Sequence, residues 1–422
     1  MTALTPPDTP KRAVLRHIRP SDLKAAVQLA AQAAQGVINM AEGVHQSVRH
    51  RLGLASGAEP EQTGGVTGRV YQGVRGATRL VGHATDALLG ALLPLLDDPA
   101  THPEASPQRE AVLAALNGVL GDRLQAAHNP LAWPMALRRG GETLALDPSA
   151  VLAAQLGTHA SPHLVLLIHG LCMNDTQWRR AGHDHGEHLA QALGCTPVYL
   201  RYNSGLHTSV NGRELALMLE QLVAAWPVPL QRITLLGHSM GGLVARSAVQ
   251  VARRAGLHWP GLLRELVFLG TPHHGAPLER AGHGVDLLLA ATPFTAPFAR
   301  LGKLRSAGIT DLRHGHVQDA DWQGRDRFAS PEDHRLVLPL PEGVACFAVA
   351  ATLAGQRGLL ADRLTGDGLV PLRSALGQHD DPARRLVFAK DSQRIVYRTG
   401  HLDLLSSPAV AQQLLHWLVP TA

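Results

Sequence analysis

The chain has 422 residues, 45% of them hydrophobic and only 4% aromatic, so a soluble globular core must be packed mainly from Leu, Val and Ala. The formal charge of +5 is a mild excess without a Lys/Arg-rich run, which argues against nucleic acid as a partner. The 24 histidines form no HExxH and no paired His/Cys spacing, so no metal and no other cofactor is expected.

Residues 1–20 are polar, proline-rich and basic, and read as a disordered lead-in. They lack the apolar run of a secretory signal. Cys172, Cys195 and Cys346 make no disulfide framework. Together these features make a cytoplasmic location the default expectation. Ser21 is placed to cap a helix whose apolar residues recur at helical spacing to about Leu54. A second helical segment, Val66 to Leu96, carries many glycines. Each costs about 1 kcal/mol relative to Ala in a helix interior, which points to close packing against another helix. Its most apolar part, Leu80 to Leu96, is too short and too polar to span a membrane. A third helix is expected over Gln108 to Ala127. Residues 21–130 thus read as a helical N-terminal module. It either packs on the rest of the chain or on a second chain, or it attaches peripherally to a membrane surface. The oligomeric state stays open.

From about residue 131 the pattern changes. Met135 to Leu146 reads as two strands around Gly140-Gly141. Buried strands are expected at Leu164–Ile168, Pro197–Tyr202, Ile233–Leu236, Leu266–Leu269, Val344–Val349 and Ile395–Tyr397. Helices are expected at Gly212–Trp226, after Ser239, and at Pro408–Leu418. Alternating strands and helices predict a mainly parallel sheet covered by helices, over residues 131–422. Residues 277–343 interrupt the rhythm with charge, His and Gly, and one apolar, helical piece at Gly284–Ala291. They read as a cap or lid, or else as a long insertion with no gating role.

Gly237-His238-Ser239-Met240-Gly241 stands where a strand turns into a helix. Gly-x-Ser-x-Gly in that setting is a nucleophile elbow, whose glycines remove the Cβ atoms that would collide in the turn. A serine hydroxyl is a poor nucleophile unless a base takes its proton and a third group orients the base. Gly366-Asp367-Gly368 follows the Val344 strand and Thr399-Gly400-His401 follows the Ile395 strand, in the chain order Ser, Asp, His. The catalytic candidates are therefore Ser239, Asp367 and His401. The developing oxyanion needs two N–H donors, expected from Met240 and from Leu171 in the His169-Gly170-Leu171 loop. His169 and His238 read as structural.

Four elements, Ile168-His169-Gly170-Leu171, Gly237 to Gly242, Gly270-Thr271-Pro272-His273-His274-Gly275 and Gly366 to Pro371, resemble the serine lipase and esterase branch of the α/β-hydrolases. The Gly-Thr-Pro-His-His-Gly element is similar to that of GPI-inositol-deacylase-like and related bacterial lipase-like proteins. The resemblance covers residues 130–422 and implies the α/β-hydrolase fold and ester hydrolysis through an acyl-enzyme on Ser239. His401 would act as base and then acid, and Asp367 would orient it. His401-Leu402-Asp403 matches the local calcium signature of some bacterial lipases. No second acidic ligand stands at Val344 to Val349, so calcium is not expected. The leading expectation is a carboxylic-ester hydrolase acting on a small-molecule or lipid ester with an apolar acyl group. The alternatives are an acyltransferase using the same triad, or a non-catalytic scaffold presenting its N-terminal helices to a partner or membrane.

Overall fold

The computed structural model describes residues 107–276, 306–325, 333–355 and 366–419. The expected helices within 21–96, the disordered lead-in and the helical piece at 284–291 lie outside them. The chain divides into two compact units. One comprises Met1–Arg109 and Leu124–Ala132, and the other Glu110–Arg123 and Trp133–Ala422. In the described part of the first, the chain turns with Asn129 N donating to Leu124 O at 2.9 Å.

The second unit is built on eight strands: β1 Ala136–Arg139, β2 Glu142–Thr143, β3 His163–Ile168, β4 Thr196–Arg201, β5 Arg232–His238, β6 Leu263–Leu269, β7 Ala345–Thr352 and β8 Gln393–Tyr397. They form one sheet in the order β2-β1-β4-β3-β5-β6-β7-β8. β1 runs antiparallel to β2 and β4, and every other pairing is parallel. Parallel strands need helical crossovers, and those crossovers cover both faces. This explains why β3, β5 and β6 are buried along almost their whole length rather than on alternate residues. Successive side chains still point to opposite faces. Leu164, Leu166 and Ile168 join one core with Ile233, Leu235 and Phe268, whereas Val165 and Leu167 join the other with Leu236, Val267 and Leu269.

The helices are α1 Pro107–Ala126, α2 Ser149–Leu156, α3 His185–Leu193, α4 Thr208–Ala225, α5 Met240–Arg254, α6 Ala307–His314, α7 Leu372–Ala375 and α8 Pro408–Leu418. α2, α4 and α5 fill the first core with Leu152, Leu156, Leu215, Leu219, Val244 and Ala248. α3 and α8 fill the second with Leu189, Val410 and Leu414.

Residues 110–123 of α1 belong to the sheet unit. Ala114, Ala115 and Val119 are buried. Glu110 pairs with Arg201 at 2.8 Å, and the carbonyls of Glu110 and Gly121 accept from the Asn174 and Asn203 amides at 3.2 and 3.0 Å. Within the expected cap, α6 is fastened to the same unit. Ser306 Oγ donates to Gly118 O at 2.6 Å. The buried Asp311 accepts from Thr208 N at 2.7 Å and from the His207 and His316 rings at 3.0 and 3.1 Å. Burial raises its pKa, but those ring hydrogen bonds outweigh burial and hold it below the usual carboxylate value. Among the described residues no helix is long and apolar enough to cross a membrane.

Candidate functional site

β5 runs to His238, and Ser239 follows with φ 54° and ψ −125° before α5 begins at Met240. A positive φ at a non-glycine residue costs on the order of 1–3 kcal/mol and persists only where the surroundings enforce it. Here they do. A Cβ on Gly241 would lie 2.1 Å from Ile168 O, and one on Gly237 would lie 2.5 Å from Gly242 N. The strand before Ser239 and the helix after it are therefore pressed together, as the elbow requires.

Asp367 and His401 come from loops beyond β7 and β8, and both are buried. His401 Nδ1 lies 2.7 Å from Asp367 Oδ2. The other carboxylate oxygen accepts from Leu369 N at 3.0 Å and Val370 N at 2.7 Å. His401 N also donates to Asp367 O at 3.0 Å. A carboxylate only accepts, so Nδ1 carries the ring proton and Nε2 is left with a lone pair. Nε2 of His401 and Oγ of Ser239 are both buried without a hydrogen-bond partner. Two such unpaired polar atoms are costly in a core and are what a reacting centre needs.

Neighbouring contacts draw the candidates together. His238, directly before Ser239, donates from Nε2 to His401 O at 3.1 Å, with the two rings 4.8 Å apart. Burial pushes the His238 pKa well below its ordinary value, with the His401 ring adding to the effect. Gly270 has φ +57°, and a Cβ there would sit 3.2 Å from both Asp367 Oδ2 and His401 Cε1. Sequence reasoning missed Gly270 as part of the site; its place at the head of the Gly-Thr-Pro element was the available signal. On the other side, a Cβ on Gly170 would lie 2.9 Å from Ser239 Cβ, so the 169–171 loop abuts the elbow. Leu171 and Met240 are fully buried. Met240 N–H is the first of α5 and has no acceptor within the helix.

His169 is engaged structurally. Its Nδ1 lies 2.8 Å from Gly170 O, its ring stacks on Tyr202 at 4.3 Å, and burial lowers its pKa to about 4. Asp403 is exposed and turned to Gly400 N at 3.2 Å and Arg180 at 3.8 Å. Among the described residues no group of three or more His, Cys, Asp or Glu could hold a metal ion. The three cysteines are buried, and burial pushes the Cys172, Cys195 and Cys346 thiols up to about 12, 11 and 12. A separate cleft of about 630 Å³ at the β1–β2 edge is lined by Arg138, Arg139, Asp184 and Tyr199, and by none of the candidates.

The sheet order, the crossovers and the strained serine between β5 and α5 define an α/β-hydrolase fold. Residues 159–339 match the model of the PGAP1-like alpha/beta domain. A triacylglycerol lipase of Burkholderia plantarii is 30% identical over 162 residues, which cover 36% of this chain and 42% of that protein. The chain thus spans under half the length of that relative. Among solved structures, the mature Bacillus licheniformis lipase BlEst2 is similar at 18% identity and a TM-score of 0.39, over 61% of this chain and 92% of that one. Aspergillus fumigatus lipase B is similar at 11% identity and a TM-score of 0.36, over 59% and 50%.

Proposed function

We propose that the protein hydrolyses carboxylic esters with an apolar acyl group through an acyl-enzyme on Ser239. The observation that carries this reading is the buried His401–Asp367 pair at 2.7 Å together with the unpaired Nε2 of His401 and Oγ of Ser239. In the reaction, Oγ attacks the ester carbonyl while His401 Nε2 takes its proton. The imidazolium that forms is stabilised by Asp367, which stays ionised. The oxyanion is held by the N–H groups of Leu171 and Met240, each such donor contributing about 10²–10³ in rate. The intermediate collapses as His401 returns the proton to the departing alkoxide. Water, deprotonated by the same nitrogen, then attacks the acyl-enzyme, and the acid is released with Ser239 restored.

The kinship with a triacylglycerol lipase supports an apolar acyl group in the substrate. The test is labelling with a serine-directed fluorophosphonate and hydrolysis of p-nitrophenyl esters of increasing acyl length. Wild type is expected to take up one label per chain and to favour the longer acyl groups. Ser239→Ala should take up none and lose roughly 10⁴–10⁶ in kcat. A labelled Ser239→Ala, or a wild type inert towards every ester and the label, would overturn the assignment.

A further inference from the structure

A second polar centre lies two turns along α5 from Ser239. Arg246 is buried, yet no carboxylate pairs with it among the described residues. Among the described residues its terminal nitrogens reach only Leu338 O at 2.6 Å and His273 Nδ1 at 3.5 Å, and its Nε has no partner. Arginine can only donate, so His273 Nδ1 is the acceptor and the ring proton sits on Nε2. That nitrogen is also buried without a partner. Burial keeps His273 neutral, pushing its pKa well below the ordinary value, and Arg246 adds to this. Two buried donors therefore lack an acceptor, and one belongs to a full positive charge. Such a buried charge is strongly destabilising unless it is compensated.

Both residues line a cleft of about 60 Å³, several times what one water requires. Its other charged lining residues are mostly cationic: Arg335, Arg384 and Arg385, against the single carboxylate of Asp321. Asp321 is already engaged, accepting from Val317 N and Gln318 N at 2.9 Å and from Leu336 N at 3.0 Å. Arg335 is held by Asp333 at 2.6 Å, whereas Arg385 donates to the carbonyls of His379 and Asp380 at 2.7 and 3.3 Å. The cleft thus offers unpaired guanidinium and imidazole donors from Arg246 and His273, with more guanidinium groups around its walls, of which Arg335 and Arg384 are paired with Asp333.

We propose that the cleft floored by Arg246 and His273 binds a small oxyanion, at a site separate from Ser239, Asp367 and His401. The anion completes the coordination of Arg246 and braces α5 against the 271–276 loop and the 335–339 segment. Guanidinium groups converging on a small cleft are the usual recognition chemistry for phosphate-like oxygens.

The probe is inorganic phosphate, followed by calorimetric titration and by thermal unfolding against sodium chloride at equal ionic strength. Wild type and Ser239→Ala are both expected to bind phosphate and to gain about 5 °C in Tm at saturation. Arg246→Met should weaken binding at least tenfold. Arg385→Gln, at the exposed rim, should weaken it several-fold with the fold intact, and it decides the question if Arg246→Met fails to fold. Arg264→Gln, an exposed arginine elsewhere, should leave binding unchanged. An equal effect of chloride and phosphate, or full phosphate affinity in a folded Arg246→Met, would overturn the site. Because Ser239→Ala is expected to bind phosphate normally, this outcome does not depend on the catalytic assignment.

Discussion

Both carboxylate oxygens of Asp367 are already occupied, one by the Leu369 and Val370 amides and one by the His401 ring. That division of labour makes Asp367→Asn an informative change. The amide oxygen can keep the backbone contacts, and the NH₂ then faces His401 Nδ1. The ring must respond by moving its proton to Nε2, where it can no longer accept from Ser239. We expect an intact fold by circular dichroism and a fall of about 10⁴ in kcat; ester turnover within tenfold of wild type would contradict it. These residues were legible in the sequence because their signals are local. The elbow needs glycines on both sides of Ser239, and Asp367-Gly368 and Gly400-His401 each follow a strand, β7 buried and β8 largely exposed at the sheet edge. Arg246 and His273 were not legible as a pair, because 27 positions separate them and neither has a local pattern that reports an absent counter-charge.

Among the elements, α1 has the least obvious place. Its Gly118 meets the residue that follows Leu171. A Cβ there would lie 2.3 Å from Cys172 Sγ and 2.8 Å from Cys172 N and Cα. Cys172 has φ 59°, and its N–H donates to Ser204 Oγ at 3.1 Å. Gly118→Ala must therefore push on the loop that bears the proposed Leu171 donor. A drop of about tenfold or more in kcat with little change in KM is expected. Cys172→Gly, which removes the sulfur and tolerates the backbone angle, should recover part of it. Steady-state kinetics of the two single variants and the double variant check this, and simple additivity would remove the link.

Element boundaries show why some of this was hidden. α4 begins at Thr208 rather than at the expected Gly212, and the side chain of His207 does not cap it. Its Thr208 N–H is capped by Asp311, 103 residues away, which no local pattern announces. α3 is different. Asp184 caps it, accepting from Gly186 N and Glu187 N at 2.7 and 3.2 Å, and Gly194 ends it in the left-handed conformation. Those boundary signals stood in the sequence, though the expected elements passed over this helix.

On the scale of the whole molecule, buried histidines contribute to its response to acid. Burial lowers the pKa of His169 and His185 to about 4, and the same cause acts on His163 and His274. The unfolded chain binds protons at these groups below about pH 6.5, while the folded chain resists them. Their contribution is therefore complete above pH 6.5 and is lost as the pH falls towards 4. Each fully buried histidine removes up to about 1.4 kcal/mol per pH unit in that window. Urea unfolding at pH 7.5, 6 and 5 should show a falling midpoint and proton uptake on unfolding. A midpoint constant from pH 7.5 to 5 would contradict this.

The bond from Ser306 to Gly118 joins residues 188 positions apart. During synthesis residues 110–123 emerge first, their partners Asn174, Arg201 and Asn203 follow, and Ser306 arrives last. Until then the Gly118 carbonyl lacks the Ser306 hydroxyl. Fastening α6 to α1 is thus a non-local step, closed around a segment made early, and contacts of that kind are the slow ones in folding.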